Sequence, residues 1–117
     1  MFEKSNVCIL TDDDFNEDTL KILHSDLSNC DALVMFYSPS CPHCVNKEET
    51  MSKLADYLNT NVLSDLKFKI AAANVYETKN ISSKLNITSI PTFFIYINGE
   101  LKQDKEVAYD ILKSVQE

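Results

Sequence analysis

Residues 32–44 read ALVMFYSPSCPHC, an apolar run followed closely by two cysteines three positions apart. The run over 32–37 is typical of a buried strand, and Pro42 suits the first turn of a helix, where its missing N–H leaves no hydrogen bond unmade. Cys41 is then expected at the N-cap, where unpaired N–H groups and the helix dipole stabilise a thiolate. Because residues three apart share a helix face, Cys44 can reach Cys41 and close a disulfide.

The same cysteine spacing also begins zinc sites, which bind the metal through four ligands. Such a site needs two further ligands, usually as a second closely spaced pair, whereas the remaining candidates Cys8, Cys30 and His24 are scattered singly along the chain. An inert cysteine pair is another alternative, and Pro42 argues against it. The spacing therefore predicts dithiol chemistry and no metal site.

A second landmark lies about fifty residues further on. Residues 85–100 read LNITSIPTFFIYINGE, in which Pro91 precedes an apolar run that an Asn-Gly pair closes. An apolar run that ends at Asn-Gly predicts a strand and a tight hairpin.

Together the two stretches resemble the thioredoxin superfamily. Residues 36–44 resemble the active-site region of protein disulfide isomerase domains, residues 89–92 resemble the cis-proline loop, and residues 98–100 resemble the hairpin between the last two strands. The resemblance covers the chain from about Val7 to its end.

The expected fold is therefore α/β: a single thioredoxin-like domain over 1–117, with a mixed sheet of about five strands flanked by about four helices. Hydrophobic patterning predicts strands over 7–10, 32–37, 67–75, 92–97 and 100–103. Capping residues, an acidic first turn and apolar periodicity predict helices over 13–28, 42–58, 81–85 and 106–115. The acidic run 12–14 is interpreted as capping for the first of these helices.

The resemblance implies a role for each site residue. Cys41 exchanges with a substrate disulfide to form a mixed disulfide, and the less exposed Cys44 resolves it. Pro91 is expected to be cis and to face the two cysteines, while the backbone of Ser89 and Ile90 pairs with substrate as an added strand. An ordinary edge-strand start is the alternative interpretation of Pro91.

Pro42 and His43 are expected to tune the pKa of the Cys41 thiol. A histidine titrating near 6.5 adds positive character beside the sulfur, and stabilising the reduced thiolate makes the disulfide a better oxidant. A solvent-facing His43 without an electrostatic role is the alternative.

The chain departs from the family pattern at four positions near the cysteines. The superfamily nearly always has tryptophan where Ser40 stands, a buried acid where Met35 stands, often a lysine at Ala72, and a helix-kinking proline at Glu49. The missing acid raises the question of which group accepts the proton of Cys44. Glu48, four residues after Cys44 on the same helix face, is a possible proton relay, and a solvated Glu48 is the alternative.

Composition limits the partners and the location. Eleven basic and eighteen acidic residues give a net charge of −7, which disfavours nucleic acid and anionic membranes as partners. No apolar stretch approaches the roughly 20 residues that span a bilayer. Residues 1–10 have too few apolar residues for a signal peptide, and residues 114–117 are not an ER-retention signal, so a cytoplasmic location is expected.

The function predicted from these observations is that of a protein thiol–disulfide oxidoreductase. It needs no metal or organic cofactor, only substrate proteins with thiols or disulfides and an electron donor or acceptor such as a reductase or glutathione. A glutaredoxin-like enzyme is one alternative, although that family uses a glycine pair and Gly99 is the single glycine here. A non-catalytic thioredoxin-like binding module is the other. Cys8 is expected in one strand and Cys30 just before another that is not adjacent to it, and hence no disulfide is expected between them.

Overall fold

A computed structural model describes residues 1–2, 5–59 and 67–102. Within these residues five strands form one sheet, and we number them β1 Cys8–Leu10, β2 Asp31–Tyr37, β3 Phe68–Asn74, β4 Thr92–Ile97 and β5 Glu100–Lys102. The strand order is β1-β3-β2-β4-β5, with β1 and β2 parallel to β3, and with β4 antiparallel to both β2 and β5. The expected mixed five-stranded sheet is confirmed.

The central strand β2 is apolar on both faces, because helices or loops cover the sheet on each side. Met35 packs in one buried cluster with Cys44 and Met51. Phe36, the next residue, packs in the opposite cluster with Ile81. Cys44 and Met51 belong to α1 (Pro42–Leu58) and Ile81 belongs to α2 (Lys79–Lys84), so the two helices cover opposite faces.

The predicted helix over 13–28 is wrong. The segment contains a single 3-10 turn, Asp12–Asp14, followed by irregular backbone with an isolated bridge between Phe15 and Ile22. The side-chain oxygen of Asn16 accepts the N–H groups of Asp18 and Thr19, each at 2.9 Å. Such local bonds compete with helical ones, and they turn the chain back at this point.

The segment still buries apolar side chains without being helical. Phe15, Ile22 and Leu27 are all buried in the cluster on the α2 face of the sheet. The capping residue and the acidic first turn that predicted a helix here are therefore compatible with a shorter 3-10 turn.

The other predicted elements lie within two residues of those observed, and α1 has the predicted bounds. The described residues contain two α-helices and one 3-10 turn, which is fewer than the expected four helices. The predicted helix over 106–115 and the last residue of the predicted strand 100–103 lie outside the described residues. Neither described α-helix is long and apolar enough to cross a membrane.

The hairpin between β4 and β5 turns at Asn98 and Gly99, whose φ angles are 53° and 82°. A Cβ on Gly99 would lie 2.8 Å from the carbonyl oxygen of Ser28, so both the backbone conformation and the close approach require glycine. The N–H of Asn98 donates to the Asp31 side chain at 3.0 Å, which ties the turn to the start of β2.

All four cysteines are free thiols. Strand β3 separates β1, which carries Cys8, from β2, which follows Cys30. The expectation that the strands beside these two cysteines are not adjacent is confirmed.

Candidate active site

The two cysteines lie where β2 ends and α1 begins. Cys41 is the N-cap of α1, with extended backbone (φ −88°, ψ 115°), and Pro42 follows in the first turn. The N–H of Cys41 donates to the Ser38 carbonyl at 3.1 Å, and the Cys41 carbonyl accepts the N–H of Val45 at 3.0 Å. Because these bonds hold the residue on both sides, its sulfur faces the open N-terminus of the helix.

The Cys41 sulfur is half-buried and surrounded by hydrogen-bond donors. Its Sγ accepts the backbone N–H of Cys44 at 3.4 Å. The hydrogen bond from the Cys44 thiol lowers the pKa of Cys41, and the backbone N–H groups of Cys44 and His43 lower it further. These donors favour the thiolate, which is the nucleophilic form.

The Cys44 sulfur has the opposite environment. Cys44 is fully buried and packs with Met35 and Met51. Burial, followed by the hydrogen bond to Cys41, raises the pKa of the Cys44 thiol to about 11, while the backbone N–H of Ser38 acts in the other direction. The site thus pairs an accessible, acidic thiol with a buried, protonated one.

The loop before β4 brings a third group to the cysteines. The Ile90–Pro91 peptide bond is cis. The Ile90 carbonyl oxygen lies 3.7 Å from the Cys41 sulfur, within reach of a hydrogen bond from its thiol. The Ser89 carbonyl accepts the hydroxyl of Thr92, and Ser89 itself is exposed. The structure therefore places the Ile90 carbonyl, at the cis bond to Pro91, beside Cys41.

Beneath the cysteines the sheet is apolar. Met35 on β2 is paired in register with Ala72 on β3, and both side chains are fully buried. These are the two positions at which the family resemblance leads one to expect an acid and a lysine. No titratable side chain therefore occupies these two positions.

Ser38 is a residue that the sequence reasoning missed. It is buried, its hydroxyl lies 2.9 Å from that of Ser40, and it also accepts the Ser40 N–H at 3.3 Å. These bonds shape the loop where the superfamily usually carries tryptophan. A polar residue directly after a fully buried strand was the available signal, because a buried hydroxyl requires a partner.

His43 and Glu48 are less closely tied to the sulfurs. The His43 side chain is exposed, and the contribution of its imidazole stays a prediction. Glu48 is half-buried, and within the described residues it makes no hydrogen bond with Cys44. Its neighbour Glu49 is exposed and pairs with Lys53 at 2.9 Å.

The sequence profile of the family described as Thioredoxin matches residues 6–116, so the chain belongs to the thioredoxin family. Human thioredoxin-related transmembrane protein 1 is 29% identical over 100 residues, which are 86% of this chain and 31% of that protein. Thioredoxin of Rickettsia bellii is 33% identical over 96 residues, covering 82% of this chain and 80% of that protein.

Among solved structures, the first thioredoxin domain of mouse protein disulfide-isomerase A4 has a TM-score of 0.64 and 22% identity, covering 98% of this chain and 79% of that chain. This likeness shows the thioredoxin fold. The chain spans less than a third of the first curated relatives it matches, 31% of the human transmembrane protein and 21% of human protein disulfide-isomerase A6. The curated relatives therefore include both a thioredoxin and protein disulfide-isomerases.

Proposed function

We propose that this protein is a protein thiol–disulfide oxidoreductase that uses Cys41 and Cys44 as its dithiol–disulfide couple. The observation that carries the proposal is the contrast between the two sulfurs. Cys41 is accessible with a lowered pKa, whereas Cys44 is buried beneath it with a raised one. This arrangement suits one thiol for attack on a substrate and the other for the second, intramolecular step.

In the reducing direction the Cys41 thiolate attacks one sulfur of a substrate disulfide. The substrate S–S bond breaks, a mixed disulfide forms, and the departing sulfur leaves with the electron pair and takes up a proton. Cys44 then loses its proton and attacks the Cys41 sulfur, which releases the second substrate thiol. The substrate gains two electrons, and the protein is left with a Cys41–Cys44 disulfide. The oxidising direction is the reverse.

The structure suggests how Cys44 is activated at the right moment. The hydrogen bond and negative charge of Cys41 both raise the pKa of Cys44 in the dithiol state. Formation of the mixed disulfide removes that charge, so the pKa of Cys44 falls, while burial continues to raise it. The backbone N–H of Ser38 continues to favour the thiolate. Glu48 as an additional proton acceptor stays part of the proposal.

Substrate docking is proposed along the loop that contains Pro91. The backbone of the exposed Ser89 and the half-buried Ile90 is proposed to pair with an extended substrate segment. A hollow of about 200 Å³ beside this loop, with Val75, Ile87 and Ile90 among its lining residues, offers space for an apolar side chain. The electron donor or acceptor is proposed to be a reductase or glutathione, and the cytoplasmic location stays a prediction.

A non-catalytic binding module is the second candidate function. The apolar pair of Met35 and Ala72 favours it, because no buried acid accepts the Cys44 proton from these positions. The glutaredoxin alternative finds no support at Gly99, since this glycine serves the β4–β5 turn against Ser28.

Reduction of insulin by dithiothreitol tests the proposal. The wild-type protein should accelerate precipitation of the insulin B chain, and Cys41→Ser should abolish the acceleration. Cys44→Ser should instead accumulate a mixed disulfide with substrate, visible by non-reducing electrophoresis. Cys30→Ser is the matched control and should retain the wild-type rate. A wild-type protein that leaves the insulin reaction unchanged would favour the binding module.

A further inference from the structure

Cys8, His24 and Asp26 form a second cluster of chemically reactive side chains. The Cys8 Sγ lies 3.8 Å from Nε2 of His24, and a carboxylate oxygen of Asp26 lies 4.0 Å from Nδ1 of the same ring. Each residue offers one possible ligand atom, and the three atoms lie within 4.8 Å of one another.

This cluster is separate from the dithiol. Cys8 and Asp26 line a pocket of about 260 Å³ that also contacts Leu58 and Asn59 at the end of α1. Cys41 lies at the other end of the same 17-residue helix, about 25 Å away along its axis. A ligand in this pocket would therefore leave the Cys41–Cys44 couple accessible.

The irregular backbone of residues 13–28 creates the cluster. His24 lies within the helix predicted over 13–28 and far from Cys8 in the sequence, whereas the fold brings the two side chains together. The N–H of Asp26 donates to Nδ1 of His24 at 3.1 Å, so Nε2 is the ring nitrogen that faces Cys8. His24 and Asp26 are two positions apart, and in a helix they would not face the same neighbour. The turn seen here places both side chains beside Cys8 of β1.

The electrostatics around Cys8 favour a cation. Burial, together with the carboxylates of Asp26 and Asp14, raises the pKa of the Cys8 thiol to about 11. Cys8 alone is therefore a poor nucleophile, and the negative groups around it repel a thiolate. Lys69 also lines the pocket and is the only Lys or Arg side chain among the pocket-lining residues that the structure describes.

We propose that Cys8, His24 and Asp26 bind a divalent transition-metal cation, for which Zn²⁺ is the best match, with the fourth coordination position open to the pocket. Sulfur, imidazole nitrogen and carboxylate oxygen are the donors that zinc accepts, whereas calcium and magnesium take oxygen ligands. Zinc bonds of about 2.3 Å to sulfur and about 2.0 Å to nitrogen in a tetrahedron place these two atoms about 3.5 Å apart. The observed separation of 3.8 Å is close to that value.

Binding changes the protonation of two ligands. The Cys8 thiol releases its proton and binds as the thiolate. Coordination through Nε2 leaves the imidazole proton on Nδ1. A protonated Nδ1 cannot accept the Asp26 N–H, so this hydrogen bond breaks when the metal binds.

The test is a titration of the full chain carrying Cys41→Ser and Cys44→Ser, so that the active-site dithiol cannot bind the metal. Calorimetry with Zn²⁺ should show one site. Substitution with Co²⁺ should give a thiolate-to-metal charge-transfer band. Adding Cys8→Ser or His24→Ala should weaken zinc binding by at least about tenfold and, for Cys8→Ser, remove the band. Cys30→Ser, a matched half-buried cysteine, should leave both unchanged.

Zinc should also raise the unfolding temperature of the parent and not that of the Cys8→Ser form. Asp26→Asn changes an exposed residue and serves as the second variant. It tests the site if the Cys8→Ser form does not fold. Zinc binding of unchanged strength in Cys8→Ser or, where that form does not fold, in Asp26→Asn would overturn the proposal, as would a parent that gives no charge-transfer band with Co²⁺.

Discussion

The sulfur of Cys41 lies 3.7 Å from the carbonyl oxygen of Ile90, although 49 positions separate the two residues in the chain. This contact joins the two stretches of sequence that first suggested thiol chemistry. It places Cys41, the proposed nucleophile, at the N-terminus of α1 beside the peptide backbone that precedes Pro91. A substrate that pairs with this backbone would therefore present its disulfide to Cys41.

The thiols of Cys41, Cys44 and Cys8 should differ widely in reactivity. Iodoacetamide at pH 6–7 should alkylate Cys41 first, because its pKa is lowered and its sulfur is accessible. Cys44 and Cys8, whose pKa values are raised to about 11, should react at least about tenfold more slowly. Peptide mass spectrometry of a time course measures the order. Labelling of Cys8 as fast as that of Cys41 would contradict the assignment of the nucleophile.

His43 should make the couple more oxidising. We expect a potential above the roughly −270 mV of thioredoxin, because donors around Cys41 stabilise the dithiol state. His43→Ala should lower the potential and raise the pKa of Cys41 if the imidazole contributes. Equilibration against a glutathione series gives the potential. Asn46→Ala, which changes an exposed neutral residue three positions further along α1, is the control. An equal shift in both variants would show that the effect is not electrostatic.

The reduced protein should lose stability at high pH. Cys44 and Cys8 have pKa values raised from 9.0 to about 11 in the folded state, so the folded chain binds these protons more tightly than the unfolded chain. The contribution is present below pH 9 and is lost as the pH rises towards about 11, so the unfolding free energy falls over that window.

Urea denaturation across this pH range measures the effect. Formation of the Cys41–Cys44 disulfide removes the titration of Cys44, so the oxidised protein should show a shallower decline. Cys30→Ser should retain the slope of the wild-type protein. A reduced protein whose stability does not change between pH 9 and pH 11 would refute the assignment of raised pKa values.

Gly99→Ala should destabilise the hairpin. The residue has a φ of 82°, and a Cβ would meet the Ser28 carbonyl oxygen at 2.8 Å. A loss of about 1–3 kcal/mol in unfolding free energy is expected from the strained backbone conformation. Thermal or urea denaturation measures it, and Asn98→Gly at the adjacent left-handed position should cost much less. Equal stability of the Gly99→Ala form would show that the turn relaxes freely.

Glu48 can be tested as the proton acceptor of Cys44. If it serves as a relay, Glu48→Gln should slow resolution of a mixed disulfide about tenfold in stopped-flow measurements near pH 7. The difference should shrink above pH 8, where hydroxide replaces the base. Glu49→Gln, an exposed neighbour paired with Lys53, is the matched control. An unchanged rate for Glu48→Gln at pH 7 would leave water or substrate groups as the acceptor.

The position of the dithiol could be predicted from the sequence because its causes are local. An apolar strand, a proline in the first helical turn and two cysteines three positions apart already determine that Cys41 caps α1 and that Cys44 faces inwards. The Asn98-Gly99 turn is equally local, since its backbone angles require these residue types. The bounds of α1 were predicted correctly for the same reason.

Other features depend on contacts between distant residues, which no local pattern encodes. The residues at 12–14 predict a helix cap, but packing of Phe15, Ile22 and Leu27 against the sheet accompanies an irregular backbone instead of a helix. That irregular path brings His24 and Asp26 to Cys8. Likewise, the contrast between the Cys41 and Cys44 thiols needs the completed core, because desolvation depends on every neighbour that excludes water from a sulfur.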